Sequence, residues 1–282
     1  MLSLRDAVAE YKQTGKAIGH FNISDSNQLE AIAQAAKEAS LPVIIGLSEG
    51  EREYFPLAHA RSLVDDYIKE GIQMYLNADH TYGLDKAKAA IDAGVDSIVV
   101  DGAKLPLAEN IALVKEVVEY SKGKVIVEGE LGYIGQSSSL HDELPEGVSL
   151  ENLTTPEDAK KLVMESGIDM LAPAVGNIHG MLKNAAEPRL HPDRVKAIAE
   201  ATGVPLVLHG ASGNTEDDVR ACIAAGVAIV HINTELRVAY KEELVKTLRM
   251  HPSEVAPYKL LAPVVLGMRT YVAHKLRVFA NK

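Results

Sequence analysis

Gly226-Val-Ala-Ile-Val-His-Ile-Asn233 opens on a glycine, runs through a short apolar stretch and ends in polar residues. The same phrase recurs as Gly71-Ile-Gln-Met-Tyr-Leu-Asn-Ala-Asp79, Gly94-Val-Asp-Ser-Ile-Val-Val-Asp101 and Gly167-Ile-Asp-Met-Leu-Ala-Pro173. Glycine suits the position past a helix C-terminus because it accepts a positive φ. A continuous apolar run of about 4–6 residues after it suits a strand buried on both faces, as in a parallel sheet. Similar runs at Lys16–Asn22, Val43–Ser48, Val125–Glu130 and Leu206–His209 bring the expected strands to eight. Amphipathic helical patterns separate most of them, at Asn27–Ser40, Gly83–Ala93, Leu107–Tyr120 and Pro156–Ser166. Eight alternating units without a composition break predict one α/β domain over residues 1–282, a (β/α)8 barrel. An open doubly wound sheet would want a glycine-rich turn after its first strand, and His20-Phe21-Asn22-Ile23-Ser24 is not one.

Two stretches fall outside the alternation. Residues 132–153, after strand 5, carry Ser, Gly and acids without periodicity and read as a long lid loop. From His251 onward the pattern is helical, a C-terminal extension that packs on the barrel or on a second subunit. The 29 Lys and Arg against 39 Asp and Glu leave a net charge of −10. Such a chain lacks the basic footprint of a nucleic-acid or anionic-membrane binder. The single cysteine, Cys222, excludes an intrachain disulfide framework. Asp6 and Glu10 interrupt the start of the chain too early for a signal peptide, and no apolar run approaches ~18 residues. A cytoplasmic protein is expected.

Barrels of this kind do chemistry at the C-terminal ends of their strands. Those ends carry Asn22, Ser48, Asp79 with His80, Asp101, Glu128 with Glu130, His179, His209, and His231 with Asn233. Four of the ten histidines, His80, His179, His209 and His231, thus converge from separate strands. Three neutral imidazoles with one open position make a catalytic Zn2+ arrangement, or one for another late divalent metal. Glu128 and Glu130 share strand parity and can both face inward, one as ligand and one as hydrogen-bond acceptor. His20, His59, His141, His191, His251 and His274 read as ordinary structural residues. His209-Gly-Ala-Ser-Gly-Asn214 and Asn233-Thr-Glu235 each open a helix after strands 7 and 8, the usual phosphate site of this architecture. Lys183 would add an ammonium nearby if a helix starts at His179-Gly180.

With these residues in place, the chain resembles the class II, metal-dependent aldolases that act on fructose or tagatose bisphosphate. Asn77-Ala-Asp79-His80, Val127-Glu-Gly-Glu-Leu-Gly132, Gly176-Asn-Ile-His-Gly180 and Leu208-His-Gly-Ala-Ser-Gly213 carry the resemblance, in order, over nearly the whole length. It implies a TIM barrel that cleaves a ketose phosphate, fructose 1,6-bisphosphate by default, to dihydroxyacetone phosphate and an aldehyde such as glyceraldehyde 3-phosphate. It implies His80, His179 and His209 as metal ligands, Glu130 as an alternative ligand, and Asp79 as the acid serving the aldehyde oxygen. Asn22, Ser48, Gly180, Lys183, Gly210, Ser212, Asn233 and Thr234 would hold substrate, with dihydroxyacetone phosphate at Gly180, Lys183, Gly210, Ser212 and Thr234. Zn2+, or Co2+ or another divalent ion, would be the cofactor, with a monovalent cation, Na+ or K+, beside the phosphate. A homodimer or homotetramer without membrane or nucleic-acid partners is expected.

The departures are equally specific. The family's lid has an acid after a Gly-Gly pair, proposed as the base on the C4 hydroxyl; here the stretch is Gly135-Gln-Ser-Ser-Ser139. Among His141, Asp142, Glu143 and Glu146, Glu143 is the expected replacement because its extra methylene gives reach. Asn77 stands where the family has His, and His231 where it has an enediolate-facing Asn. His251-Pro-Ser253 replaces a late Asp-Pro-Arg whose Arg reaches the distal phosphate, which opens tagatose 1,6-bisphosphate or a ketose 1-phosphate as alternatives. Strand 6 carries no lysine for Schiff-base chemistry, and Lys104 reads as a surface or structural residue. A non-catalytic accessory subunit would have no need for His80, His179, His209 and Asp79. A metal-dependent hydrolase would want His-x-His on strand 1, which His20-Phe21-Asn22 is not.

Overall fold

Eight parallel strands close into a barrel in sequence order, with the last hydrogen-bonded back to the first. The computed structural model describes residues 2–149 and 153–282. We number the barrel strands β1 (Ile18–Asn22), β2 (Val43–Leu47), β3 (Met74–Thr81), β4 (Ser97–Val100), β5 (Ile126–Leu131), β6 (Met170–Pro173), β7 (Leu206–Leu208) and β8 (Val227–Ile232). All eight strands read from the sequence are present. Helices Ser26–Ala39, Leu84–Asp92, Leu107–Ser121 and Pro156–Ser166 stand where amphipathic patterns predicted them. The last begins with Thr155 accepting from the Asp158 amide and Pro156 in the first turn, a cap its sequence announces.

Strand parity sorts the barrel interior into layers. The lower inward positions are apolar: Ile18, Ile44, Tyr75, Ile126, Met170, Val207 and Ile229 form one cluster. Helix Leu4–Gln13 closes the N-terminal mouth, adding Leu4, Ala7 and Val8 to it. One step up each strand, the same inward parity delivers His20, Asn77, Ser97, Glu128 and His231, all buried. Above them lie Asn22, Asp79 and Glu130, also buried. A dry floor therefore supports a polar upper half, and every polar group there needs a partner or a ligand.

At the end of β3 the alternation breaks. The β3–β4 register shifts between Ala78 and Thr81, and His80 takes a φ of 37°. A regular strand would turn Asp79 and His80 to opposite faces; this bulge lets both reach the barrel mouth. A non-glycine residue at positive φ is strained, and such strain gathers at functional sites.

The expected lid is partly ordered by a short parallel ribbon. Leu140–His141 pairs with Met181–Leu182, so the segment after His179 is extended and the helix that was to carry Lys183 is absent there. Residues 150–152, the end of the expected lid, lie outside the described residues. The C-terminal extension forms helix Pro257–Phe279, which buries Val264, Met268, Val272, Leu276 and Phe279 against the barrel's own helices. No helix among the described residues is long and apolar enough to cross a membrane.

Candidate active site

The strand ends enclose an inner pocket lined by Asn22, Asp79, His80, His179, Gly180, His209, Gly210, Ser212, His231, Asn233 and Thr234, with Ser138 of the lid above. An outer cavity of about 320 Å³ continues from it along Ser48, Tyr82, Gln136, Ser138 and Arg237. Residues scattered over more than 200 positions of sequence thus share one concavity at the C-terminal mouth.

His80, His179 and His209 offer ring nitrogens within 4.8 Å of one another. Each ring has its other nitrogen tied down. His80 Nδ1 lies 3.0 Å from Asp101 Oδ2, His179 Nδ1 donates to the Gly135 carbonyl at 2.7 Å, and His209 Nε2 lies 2.8 Å from Glu128 Oε1. The nitrogens left to converge are His80 Nε2, His179 Nε2 and His209 Nδ1. Carboxylates and carbonyls that fix the far nitrogen are how metal-binding imidazoles are oriented and kept in the right tautomer.

The charges point the same way. His209 Nδ1 and Asp79 Oδ1 are buried with no hydrogen-bond partner among the described residues. Leaving such atoms unpaired costs about 1–3 kcal/mol each, more when charged. Burial, with Asp101's charge behind it, pushes the Glu130 carboxyl up to about 7, and burial raises Glu128 well above its usual range. Burial and the charge on His80 bring His179 down to about 4, so its ring is neutral and available as a ligand. Crowded carboxylates and neutral imidazoles around one point fit a divalent cation. Glu130 Oε2 sits 3.2 Å from His80 Nδ1 and 4.0 Å from His209 Nδ1, at the edge of that set.

Asp79 faces the pocket next to the His80 ring. Its Oδ2 accepts from Asn22 Nδ2 at 2.9 Å, and the same amide reaches Glu51 Oε2 at 2.8 Å. Burial works against the Asp79 carboxylate, but His80, His20 and the Asn22 amide outweigh it and hold it below the usual range. His231 Nδ1 is 3.6 Å from Asp79 Oδ1. Burial keeps the His231 ring neutral.

The far wall suits an anion. Glycine-bearing Gly210–Ser212 meets the start of helix Thr234–Met250, where the Glu235 amide donates to Ser212 Oγ at 3.3 Å. Gly210 has a φ of 56°, and a Cβ there would lie 2.2 Å from the Ile178 carbonyl. Only glycine lets the loop come this close to the His179 segment.

Two expected residues, Lys183 and Glu143, lie outside the inner pocket. Lys183 pairs with Asp142 at 3.0 Å on the lid ribbon rather than lining the inner pocket. Glu143 is exposed and lines neither cavity. Ser253 is exposed too. Lys104 lies over the Tyr133 ring, 5.1 Å from its centroid. Two residues that sequence reasoning passed over belong to the site. Arg237 bridges the Ser138 carbonyl at 3.1 Å and Glu51 Oε1 at 2.6 Å beside the outer cavity. Its position one turn into the helix after Asn233-Thr234 was the available signal. The other is His20, buried beneath the pocket.

A family model described as class II fructose-bisphosphate aldolase matches residues 2–282. The chain is 33% identical over 287 residues to a fructose-bisphosphate aldolase of Geobacillus stearothermophilus, covering 100% of this chain and 97% of that one. It is 34% identical to a probable fructose-bisphosphate aldolase of Bacillus subtilis (strain 168), covering 100% and 98%. Among solved structures, the YdjI aldolase from Escherichia coli K12 superposes with a TM-score of 0.82 at 28% identity, covering 99% and 96%.

Proposed function

The chain belongs to the class II fructose-bisphosphate aldolase family and is a lyase of aldolase type, and from that premise we propose that it cleaves a ketose phosphate with Zn2+ held by His80, His179 and His209. Fructose 1,6-bisphosphate is the first candidate substrate, giving dihydroxyacetone phosphate and glyceraldehyde 3-phosphate. The observation that carries the reading is the set of three imidazoles, each braced on its far nitrogen by Asp101, Gly135 or Glu128.

A divalent cation there would act as a Lewis acid toward the substrate carbonyl and stabilise the negative charge created when C3–C4 breaks. The chain's own groups do the rest. Asp79, ionised and held by Asn22, takes the C4 hydroxyl proton as the aldehyde forms, and returns it in the reverse direction. His231, neutral and clamped at the pocket wall, offers a ring N–H to the enediolate side. The helix start at Thr234 with Gly210 and Ser212 receives the dianionic phosphate through backbone N–H groups, which point outward from a helix N-terminus. Ser48 and Arg237 lie along the outer cavity, which would receive the distal end of the sugar. Arg237 supplies a fixed cation on that side, which favours a bisphosphate over a ketose 1-phosphate.

The deciding experiment measures dihydroxyacetone phosphate and aldehyde release from fructose 1,6-bisphosphate, tagatose 1,6-bisphosphate and fructose 1-phosphate, with and without chelator. Cleavage that chelator abolishes and Zn2+ or Co2+ restores is expected. Full activity in chelator, or a borohydride-trapped adduct, would overturn the mechanism.

A further inference from the structure

His20 is 1% exposed, on an inward position of β1 in register with His231 of β8. Their rings are stacked with centroids 3.5 Å apart and planes 4° apart. On the other face of His231 lies His209, 4.0 Å away at 22°. His231 is therefore clamped between a candidate metal ligand and His20, and can turn only within its own plane.

His20 is itself held from three further strands. Its Nε2 donates to Asn77 Oδ1 at 3.1 Å, and the Asn77 amide donates to Ser97 Oγ at 2.8 Å. Against its Cε1–Nε2 edge lies Gly46, where a Cβ would come within 2.1 Å of His20 Cε1. So β2 gives up a side chain, and β3 and β4 contribute a polar tether, to seat one ring that lines no part of the pocket.

His20, Asp79 and His231 also offer donor atoms within 4.8 Å of one another, as a second cation site would. The stacking argues for a different use. Parallel rings send their in-plane lone pairs side by side instead of toward one point, and Asn77 already occupies His20 Nε2.

We propose that His20 is a positioning residue: its ring is the slab that fixes the His231 edge beside Asp79, and it acts on the reaction only through His231. This rests on the aldolase reading above. Without the slab, His231 has a ring-sized void to tip into, and the 3.6 Å approach of its Nδ1 to Asp79 Oδ1 is lost. Misplacement on the scale of about 1 Å costs catalysis up to about 100-fold.

The test is a double-mutant cycle in the metal-loaded enzyme, reading kcat, KM and bound metal for His20→Ala, His231→Asn and the pair. Expected are a fall in kcat of about 10- to 100-fold for His20→Ala with KM and metal content kept. In the His231→Asn background, His20→Ala should add nothing. His20→Phe, which restores the slab but not the bond to Asn77, should recover part of the loss. Multiplicative effects on kcat, or two bound metals per chain, would overturn the proposal. A readout independent of turnover covers misfolding and a failed aldolase reading. In 13C-histidine-labelled protein the His231 ring signal, assigned by its loss in His231→Asn, should move in His20→Ala and stay put in His59→Ala. An unmoved His231 signal sinks the stack whatever the substrate. A moved signal in a protein that cleaves no ketose phosphate sinks the aldolase reading, and with it the proposed role.

Discussion

His209 Nε2 and Glu128 Oε1 meet at 2.8 Å inside the barrel, one from the end of β7 and one from β5, both 1% exposed. The bond turns His209 Nδ1 toward His80 and His179. Removing such a brace frees the ring to rotate and weakens its basicity, at a typical cost of about 10–100-fold in metal affinity. Glu128→Ala should therefore lose metal to a competing chelator about that much more readily, while Glu128→Gln, which keeps an acceptor, should lose less. Unchanged affinity in both would remove Glu128 from the centre.

His209→Ala and His231→Ala separate ligand from neighbour. Losing one of three imidazole ligands should strip most of the metal, measured by elemental analysis after dialysis. Substituting His231, whose ring nitrogens do not belong to the braced trio, should keep the metal and slow turnover. Equal metal loss in both would make His231 a ligand.

Much of this was legible from the strand ends. The Gly-plus-apolar phrase located four strands and similar apolar runs the other four, because fully buried parallel strands have a simple composition. The histidines at those ends could be read because one strand terminus faces one mouth. His20 escaped because a lone inward histidine mid-strand reads as packing; its partners Asn77, Gly46 and Ser97 come from three other strands, a coincidence only closure of the barrel creates. Lys183 was misplaced because the two-residue ribbon to the lid depends on a long-range pairing, Met181 with Leu140, that no local pattern encodes. Arg237 was visible as a residue but its direction was not, since its bonds to Glu51 and Ser138 cross the barrel mouth.

Metal uptake should release protons. Burial lowers the His80 pKa, but Asp79, Glu130 and Asp101 outweigh it and hold the metal-free ring well above the usual imidazole range. Its bound proton competes with the cation, so apparent affinity must fall as pH falls and level off once His80 is deprotonated without help. Calorimetric titration of Zn2+ near pH 7 in buffers of different ionisation enthalpy should show about one proton or more released per ion. Zero release, with affinity flat across pH 6–8, would contradict the assigned charge of His80.

Arg237→Ala tests the distal end of the substrate. The guanidinium lies on the outer cavity with one N–H set on Glu51 and another on the lid carbonyl of Ser138. A charge-assisted bond to a phosphate is worth about 1.5–3 kcal/mol, or roughly 10–150-fold. The variant should lose that factor in kcat/KM for fructose 1,6-bisphosphate relative to fructose 1-phosphate. An equal loss for both would mean that Arg237 works through Glu51 and Asn22 and not through the distal phosphate.

The last prediction concerns where the C4 hydroxyl proton goes. A serine-rich lid offers no carboxylate at Gly135–Ser139, and Glu143, the acid expected to replace it, faces solvent while the lid ribbon is paired. Asp79 lines the inner pocket, is ionised, and has one oxygen held by Asn22 and the other free of hydrogen bonds among the described residues. A base must lie within hydrogen-bond reach of its proton before its pKa matters, and of these two acids Asp79 is the one that lines the inner pocket. Asp79→Asn is nearly isosteric, keeps the polar edge toward Asn22, and cannot accept a proton. It should retain metal and lower kcat by about 10²–10⁴-fold, the usual worth of a positioned acid or base. Glu143→Gln should stay within about twofold of the parent, since a solvated loop charge has no transition-state contact to lose. A large loss in Glu143→Gln with metal bound would show that the ribbon opens during turnover and brings that carboxylate inward, making the lid and not Asp79 the source of the base.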